Sequence, residues 1–148
     1  MIKVYLDNCC YSRPFDDLSQ ENVENEANAK LFIQSLIKYK SIELYYSFMS
    51  QAEIDDSPFE EVKAHVLDFI ENNATAFISD KHSNALKVLT DEIMQTGIKI
   101  KDATHLACAI FAKCDYFITT DRRVLNFHTD KIKIVNPINF VEIWRGTI

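Results

Sequence analysis

The chain has 148 residues, with 16 Lys and Arg against 22 Asp and Glu and a formal net charge of −6. That length suits one domain over residues 1–148, and such a chain buries about 70% of its unfolded surface, enough for one core without staples. The acidic balance excludes a broad basic nucleic-acid surface, and no stretch approaches the roughly 18 apolar residues of a membrane span.

In chain order, Ile2 to Leu6 is an apolar run of strand formers ending at Asp7. Residues 7 to 17 hold Arg13-Pro14, and proline disfavours helix in the residue before it, so this segment is expected to be a loop. A helix is expected from Ser19 as N-cap. Glu21, Glu24 and Glu26 suit the positive end of its dipole, and Ala29, Phe32, Ile33, Leu36 and Ile37 form its apolar face. Ile42 to Tyr46 reads as a second strand, after which Ser47 caps a short helix carrying Glu53. Ser57 and Pro58 are expected to open the next helix, with Pro58 at its first position and Val62, Val66, Leu67, Phe69 and Ile70 on its stripe.

Ala76 to Ile78 is a weak third strand, and Asp80 is expected to cap a helix that runs to Thr96 and stops at Gly97. A further helix over Asp102 to Lys113 repeats Ala103, Leu106, Ala107, Ile110 and Phe111 at helical spacing. Tyr116 to Thr119 is a strand, Asp121 to Phe127 a short helix or turn, Lys131 to Val135 a last strand, and Ile138 to Trp144 a closing helix. Strands alternating with helices imply an α/β fold, a mostly parallel sheet with helices on both faces. Sites in such folds lie beyond the C-terminal ends of the strands, where Asp7 and Asp121 both fall.

Asp7, Glu53, Asp102 and Asp121 each sit at the edge of an apolar element, where an unpaired charge is costly. If these carboxylates converge, each pair at ~4 Å and an effective dielectric near 20 repels by about 4 kcal/mol. A hard divalent cation, Mg²⁺ or Mn²⁺, offsets that repulsion. Setting these four acids aside leaves the rest of the chain nearly balanced, so a phosphate substrate is compatible with the composition. Cys9, Cys10, Cys108 and Cys114 include no CxxC pair and no zinc-type spacing, and read as free thiols of a reducing compartment. The N-terminus MIKVYLDNCC lacks the apolar run and cleavage site of a signal peptide. The expected location is the cytoplasm, with no membrane association.

The order of short motifs carries a resemblance. YLDN at Asp7, KDATHLACA at Asp102 and ITTD over Ile118 to Asp121, with a central Glu, together resemble the PIN-domain family across almost the whole chain. The resemblance implies a three-layer α/β/α fold and a Mg²⁺- or Mn²⁺-dependent endoribonuclease that hydrolyses RNA phosphodiester bonds. Among prokaryotic members it implies a VapC-like toxin with a cognate antitoxin partner, often as a homodimer. Carried over residue by residue, Asp7, Glu53, Asp102 and Asp121 are the metal ligands and catalytic acids. Glu43, Asp55 and Asp56 are alternatives to Glu53 as the central acid.

Thr119 matches the threonine of T-x-D, where its hydroxyl would support a ligand carboxylate, and Asn8 would lie beside the site. Arg13, Lys101, His105 and Arg122 are candidates for contacting a phosphate, the arginines through their planar fork. Asn8-Cys9-Cys10 stands where the family's toxins carry Thr or Ser, which marks an atypical subgroup. The main alternative to a nuclease is a catalytically silent PIN-like module acting through RNA or protein contacts. A phosphoacceptor receiver domain fits poorly, because Asp7 is followed by Asn8 and Asp121 by Arg122. The chain also lacks the glycine-rich loops that bind nucleotides.

Overall fold

The computed structural model describes residues 1–11 and 21–147. Five strands run in one sheet: β1 (Lys3–Leu6), β2 (Glu43–Ser47), β3 (Ala76–Ile78), β4 (Tyr116–Ile118) and β5 (Lys133–Val135). The helices are α1 (Glu21–Lys38), α2 (Phe48–Asp55), α3 (Glu60–Asn73), α4 (Ser83–Met94), α5 (Ile100–Phe111), α6 (Arg122–Leu125) and α7 (Pro137–Thr147). The strand order is β3-β2-β1-β4-β5 and every pairing is parallel.

The strands alternate sides as a two-residue period dictates. Val4, Leu6, Leu44 and Ile118 enter one core with Ile33 and Ile37 of α1, Ile70 of α3 and Phe140 of α7. Tyr5 and Phe117 enter the other, beneath Leu86 and Ile93 of α4 and Leu106, Ala107 and Cys108 of α5. Both faces are covered, which is why β1 reads as a continuous apolar run rather than an alternation. The result is the α/β/α sandwich expected, with an entirely parallel sheet among the described residues.

Several boundaries follow from identifiable side chains. Ser47 accepts the amides of Met49 and Ser50, and the Ser50 hydroxyl accepts the Ser47 amide, closing a capping box at the start of α2. Gly97 takes φ +101 and its amide bonds to Met94 O, ending α4 as a C-terminal glycine does. Several helix starts differ from expectation: α5 begins at Ile100 rather than Asp102 and α7 at Pro137 rather than Ile138. Pro58 lies outside α3, whose N-cap is Phe59, because the Ser57 hydroxyl accepts the Phe59 amide and turns the chain before Glu60 and Glu61 take the first turn. Ser79 rather than Asp80 caps the next turn, because its hydroxyl accepts the Lys81 amide, and a short 3₁₀ turn (Asp80–His82) precedes α4. The expected cap at Ser19 and the loop arginine Arg13 lie outside the described residues.

The strand order reverses between β1 and β4, which places a crevice beyond their C-terminal ends. Register makes those ends level: Leu6 pairs with Ile118, and the Asp7 amide donates to Ile118 O at 2.9 Å. The turn after Asp7 is fastened to α1, where the buried Gln34 Nε2 donates to Cys10 O at 3.0 Å and Tyr11 O at 2.9 Å.

Candidate metal centre

Asp7 leaves β1 in extended conformation and caps a 3₁₀ turn (Asn8–Cys10), its Oδ1 accepting the Asn8 amide at 2.8 Å. Its Oδ2 accepts the hydroxyl proton of Thr119 at 2.7 Å. Thr119 is fully buried just beyond β4, and its oxygen accepts the Asp121 amide at 3.1 Å. Asp121 caps α6 by accepting the Arg123 amide at 2.9 Å, with the Arg123 guanidinium 3.5 Å away. Two of the expected ligands are therefore linked through one threonine.

The other two acids come from helices. Glu53 lies in α2, which the Ser47 cap starts immediately after β2. Asp102 sits in the first turn of α5. Helix α5 ends shortly before β4 begins, so its first turn lies at the edge where the strands finish. Burial raises the Asp102 carboxyl above its ordinary range, and the neighbouring charges of Asp7, Asp121 and Glu53 raise it further while His105 opposes them. Asp102 thus feels the charges of the other three acids, but only Asp7 and Glu53, with His105, bring ligand atoms within 4.8 Å of one another.

Glu43 begins β2, at the edge opposite the crevice. Asp55 and Asp56 are exposed at the end of α2, and Asp55 accepts a hydrogen bond from Gln51.

Beneath Glu53 lies a polar network that sequence reading passed over. His105 Nε2 is 2.8 Å from Glu53 Oε1, and His105 Nδ1 is 2.6 Å from the Tyr5 hydroxyl. Tyr5 is also 2.6 Å from Ser47 Oγ and 3.0 Å from Ser50 Oγ. The Cys108 thiol, pushed up to about 11 by burial, lies beside Ser47. Tyr5, Ser47, Ser50 and His105 are all fully buried. His105 was expected at the phosphate, but the structure puts it under Glu53, out of a substrate's reach. One signal for it was present: His105 is three residues from Asp102 on the same helix. Tyr5 carried none, since it occupies a core position of β1.

Asn8 donates from Nδ2 to Ser50 O at 3.3 Å, and its Oδ1 is buried without a partner among the described residues. Lys101 and Arg122 are exposed on the first turns of α5 and α6. A groove of about 200 Å³ opens beside Glu53, lined by Asn8, Ile54, Ser57, Val62, Lys63 and Val66. Ser57 and Lys63 are polar groups of that groove with no motif to announce them.

Asp7, Glu53 and His105 offer ligand atoms that all lie within 4.8 Å of one another. Both ring nitrogens of His105 already have partners, which leaves carboxylates as the donors. Oxygen donors of this kind fit a hard divalent ion such as Mg²⁺ or Mn²⁺.

No protein-family model matches the chain, and no curated protein matches it. Solved structures do. The VapBC2 complex of Rickettsia felis bound to a promoter DNA fragment has a chain 17% identical, with a TM-score of 0.56 over 91% of this chain and 98% of that one. FitAcB of Neisseria gonorrhoeae is 19% identical, with a TM-score of 0.56 over 90% of this chain and 97% of that one. FitAB bound to an IR36 DNA fragment is 17% identical, with a TM-score of 0.59 over 91% and 95%. The chain therefore has the fold of these solved VapBC2 and FitAB chains, a three-layer α/β/α PIN-like fold around a parallel sheet.

Proposed function

We propose that the protein is a metal-dependent endoribonuclease, with Asp7, Glu53, Asp102 and Asp121 holding Mg²⁺ or Mn²⁺. The observation that carries this reading is the approach of Asp7 and Glu53, whose ligand atoms lie within 4.8 Å of each other beyond the strand ends, supported by the charges of Asp7, Asp121 and Glu53 that act on Asp102. Crowded acids of this kind cost stability unless a cation is bound. A divalent ion held there would supply a low-pKa water and neutralise charge growing on a phosphodiester.

The chain's own residues have separate tasks. Thr119 and the Asn8 amide hold the Asp7 carboxylate in one orientation. The capping box at Ser47 fixes where α2 presents Glu53. The α6 cap holds Asp121 at the rim. The groove beside Glu53 gives an RNA strand apolar contact at Val62 and Val66 and a cationic contact at Lys63. Lys101 and Arg122, exposed on the first turns of α5 and α6, would offer further cationic contacts to phosphate. The products would carry a 5′-phosphate and a 3′-hydroxyl.

VapBC2 and FitAB are named as two-component assemblies, and two of the three structures hold DNA. We infer from that likeness that the protein acts in the cytoplasm as the toxin of a toxin–antitoxin pair, as a homodimer with a cognate antitoxin. Among the described residues, no helix is long and apolar enough to cross a membrane.

The test is incubation of purified protein with mixed structured and single-stranded RNA in Mn²⁺, Mg²⁺ or EDTA, beside Asp102→Asn. Metal-dependent cleavage that the variant lacks is the expected result. Mn²⁺ binding without cleavage of any RNA in the mixture would favour the silent binding module instead. Equal cleavage by both proteins would withdraw the acidic site from the reaction.

A further inference from the structure

We propose that His105 is the positioning residue of the acidic site, presented to Glu53 as its Nε2–H tautomer by a hydrogen-bond relay that begins at the cap of α2 and passes through Tyr5. The effect on a bound cation rests on the metal-dependent function proposed above; the relay itself does not.

The direction of each bond follows from counting donors and acceptors. Ser47 Oγ accepts two backbone amides, from Met49 at 3.2 Å and Ser50 at 3.4 Å. Ser50 Oγ accepts the Ser47 amide at 3.2 Å. The cap therefore fills both lone pairs of Ser47 Oγ and one of Ser50 Oγ, which obliges the Ser47 hydroxyl to donate and leaves the Ser50 proton free to be donated. The Tyr5 oxygen stands 2.6 Å from Ser47 Oγ and 3.0 Å from Ser50 Oγ and receives them. The Cys108 thiol beside Ser47 is a weaker acceptor than a phenol.

A phenol that accepts two bonds has its own proton left to give. Its third partner is His105 Nδ1 at 2.6 Å, which the relay assigns as the unprotonated ring nitrogen, leaving the other nitrogen to face a carboxylate that can only accept. Nε2 carries the proton and donates it to Glu53 Oε1 at 2.8 Å. Tyr5, Ser47, Ser50 and His105 are each fully buried, so bulk water offers no competing partners. The Tyr5 ring is fixed by stacking on Phe117, with centroids 5.3 Å apart.

The relay joins the start of α2, strand β1 and helix α5 to one carboxylate oxygen. Glu53 Oε1 is committed to His105, which leaves Oε2 for a cation. His105 has no free nitrogen and acts through Glu53 rather than as a ligand.

A long-range ¹H–¹⁵N spectrum of the metal-free protein at neutral pH tests the tautomer directly. A proton on His105 Nε2 alone is expected, and a Nδ1–H tautomer or a doubly protonated ring overturns the proposal. Mn²⁺ titration tests the positioning. Tyr5→Phe and His105→Leu are expected to bind Mn²⁺ at least about 10-fold more weakly, as loss of supporting hydrogen bonds does at metal sites. His105→Gln, whose amide N–H can replace Nε2–H, is expected to recover most of the loss. Unchanged Mn²⁺ affinity in folded Tyr5→Phe and His105→Leu overturns the positioning role. If Tyr5→Phe does not fold, Ser50→Ala shortens the relay by one arm and the wild-type spectrum still decides. Wild-type protein that shows the Nε2–H tautomer but binds no Mn²⁺ would sink the metal-dependent function and leave the relay standing.

Discussion

The Thr119 hydroxyl lies 2.7 Å from Asp7 Oδ2 and donates to it, while the same oxygen accepts the Asp121 amide at 3.1 Å. One fully buried side chain thereby sets the spacing between acids that follow two neighbouring strands. Thr119→Val keeps the shape and removes both bonds. It leaves a carboxylate oxygen and an amide short of a partner, at a cost of about 1–3 kcal/mol. Urea denaturation should show that loss, and Mn²⁺ titration an affinity lower by roughly 10–100-fold. Thr119→Ser retains the hydroxyl and should recover most of the Mn²⁺ affinity. A valine variant with wild-type Mn²⁺ affinity would mean that Asp7 needs no such support.

Asp102 should trade stability against metal binding. Its pKa in the folded chain is raised above the ordinary 3.8 by burial and by the three neighbouring acids. A carboxyl raised on folding holds more protons in the native than in the unfolded state. The stability it contributes is present below 3.8 and is lost as pH rises through the raised value. The metal-free protein therefore holds Asp102 in a place that resists its charge. Asp102→Asn removes that penalty, so its melting temperature without metal should rise while Mn²⁺ stabilisation is lost. A variant less stable than wild type in EDTA would contradict the crowding of these acids.

Alkaline stability depends on two buried thiols. Burial pushes Cys108 up to about 11 and Cys114 up to about 12, from an ordinary 9.0. Both contributions are complete below 9.0 and are lost as pH rises toward the folded values. Each thiol adds a downward slope of at most about 1.4 kcal/mol per pH unit in that interval. Chemical denaturation of the wild type between about pH 8 and 10 in reducing buffer should show the fall. Cys114→Ala should lessen the slope, and an unchanged slope would remove Cys114 as a contributor.

Phe140 tests the core away from the acids. It is fully buried in α7, edge-on to Tyr116 with centroids 5.3 Å apart. Phe140→Ala should cost about 3–5 kcal/mol, read as a lower urea midpoint. Below its melting temperature the variant should bind Mn²⁺ as the wild type does. A matching drop in Mn²⁺ affinity would show that α7 packing reaches the metal centre.

Local pattern alone placed much of this molecule. β1 ends where Asp7 interrupts its apolar run, Ser47 caps α2, Gly97 follows α4, and Asp102 lies in the first turn of the apolar helix α5, which starts two residues earlier than expected, at Ile100. Each is a property of neighbouring residues, set by side-chain period, capping chemistry or backbone freedom, and so is visible in sequence. Pro58 and Asp80 were misplaced by a residue or two because adjacent Ser57 and Ser79 each offered a hydroxyl that captured the amide instead.

Only the tertiary structure brings Glu53 near Asp7 while Glu43 lies at the opposite end of β2 and Asp55 and Asp56 are exposed at the end of α2, because those placements depend on strand order and on which face of α2 packs inward. The same holds for Tyr5 and His105. The partners of the Tyr5 hydroxyl stand 42, 45 and 100 residues away, and strand order and register bring them to hydrogen-bonding distance. Sequence determines which side chains are buried and where helices and strands begin. Which buried polar groups then meet depends on how the sheet is ordered, since a hydrogen bond between distant residues leaves no local periodicity to read.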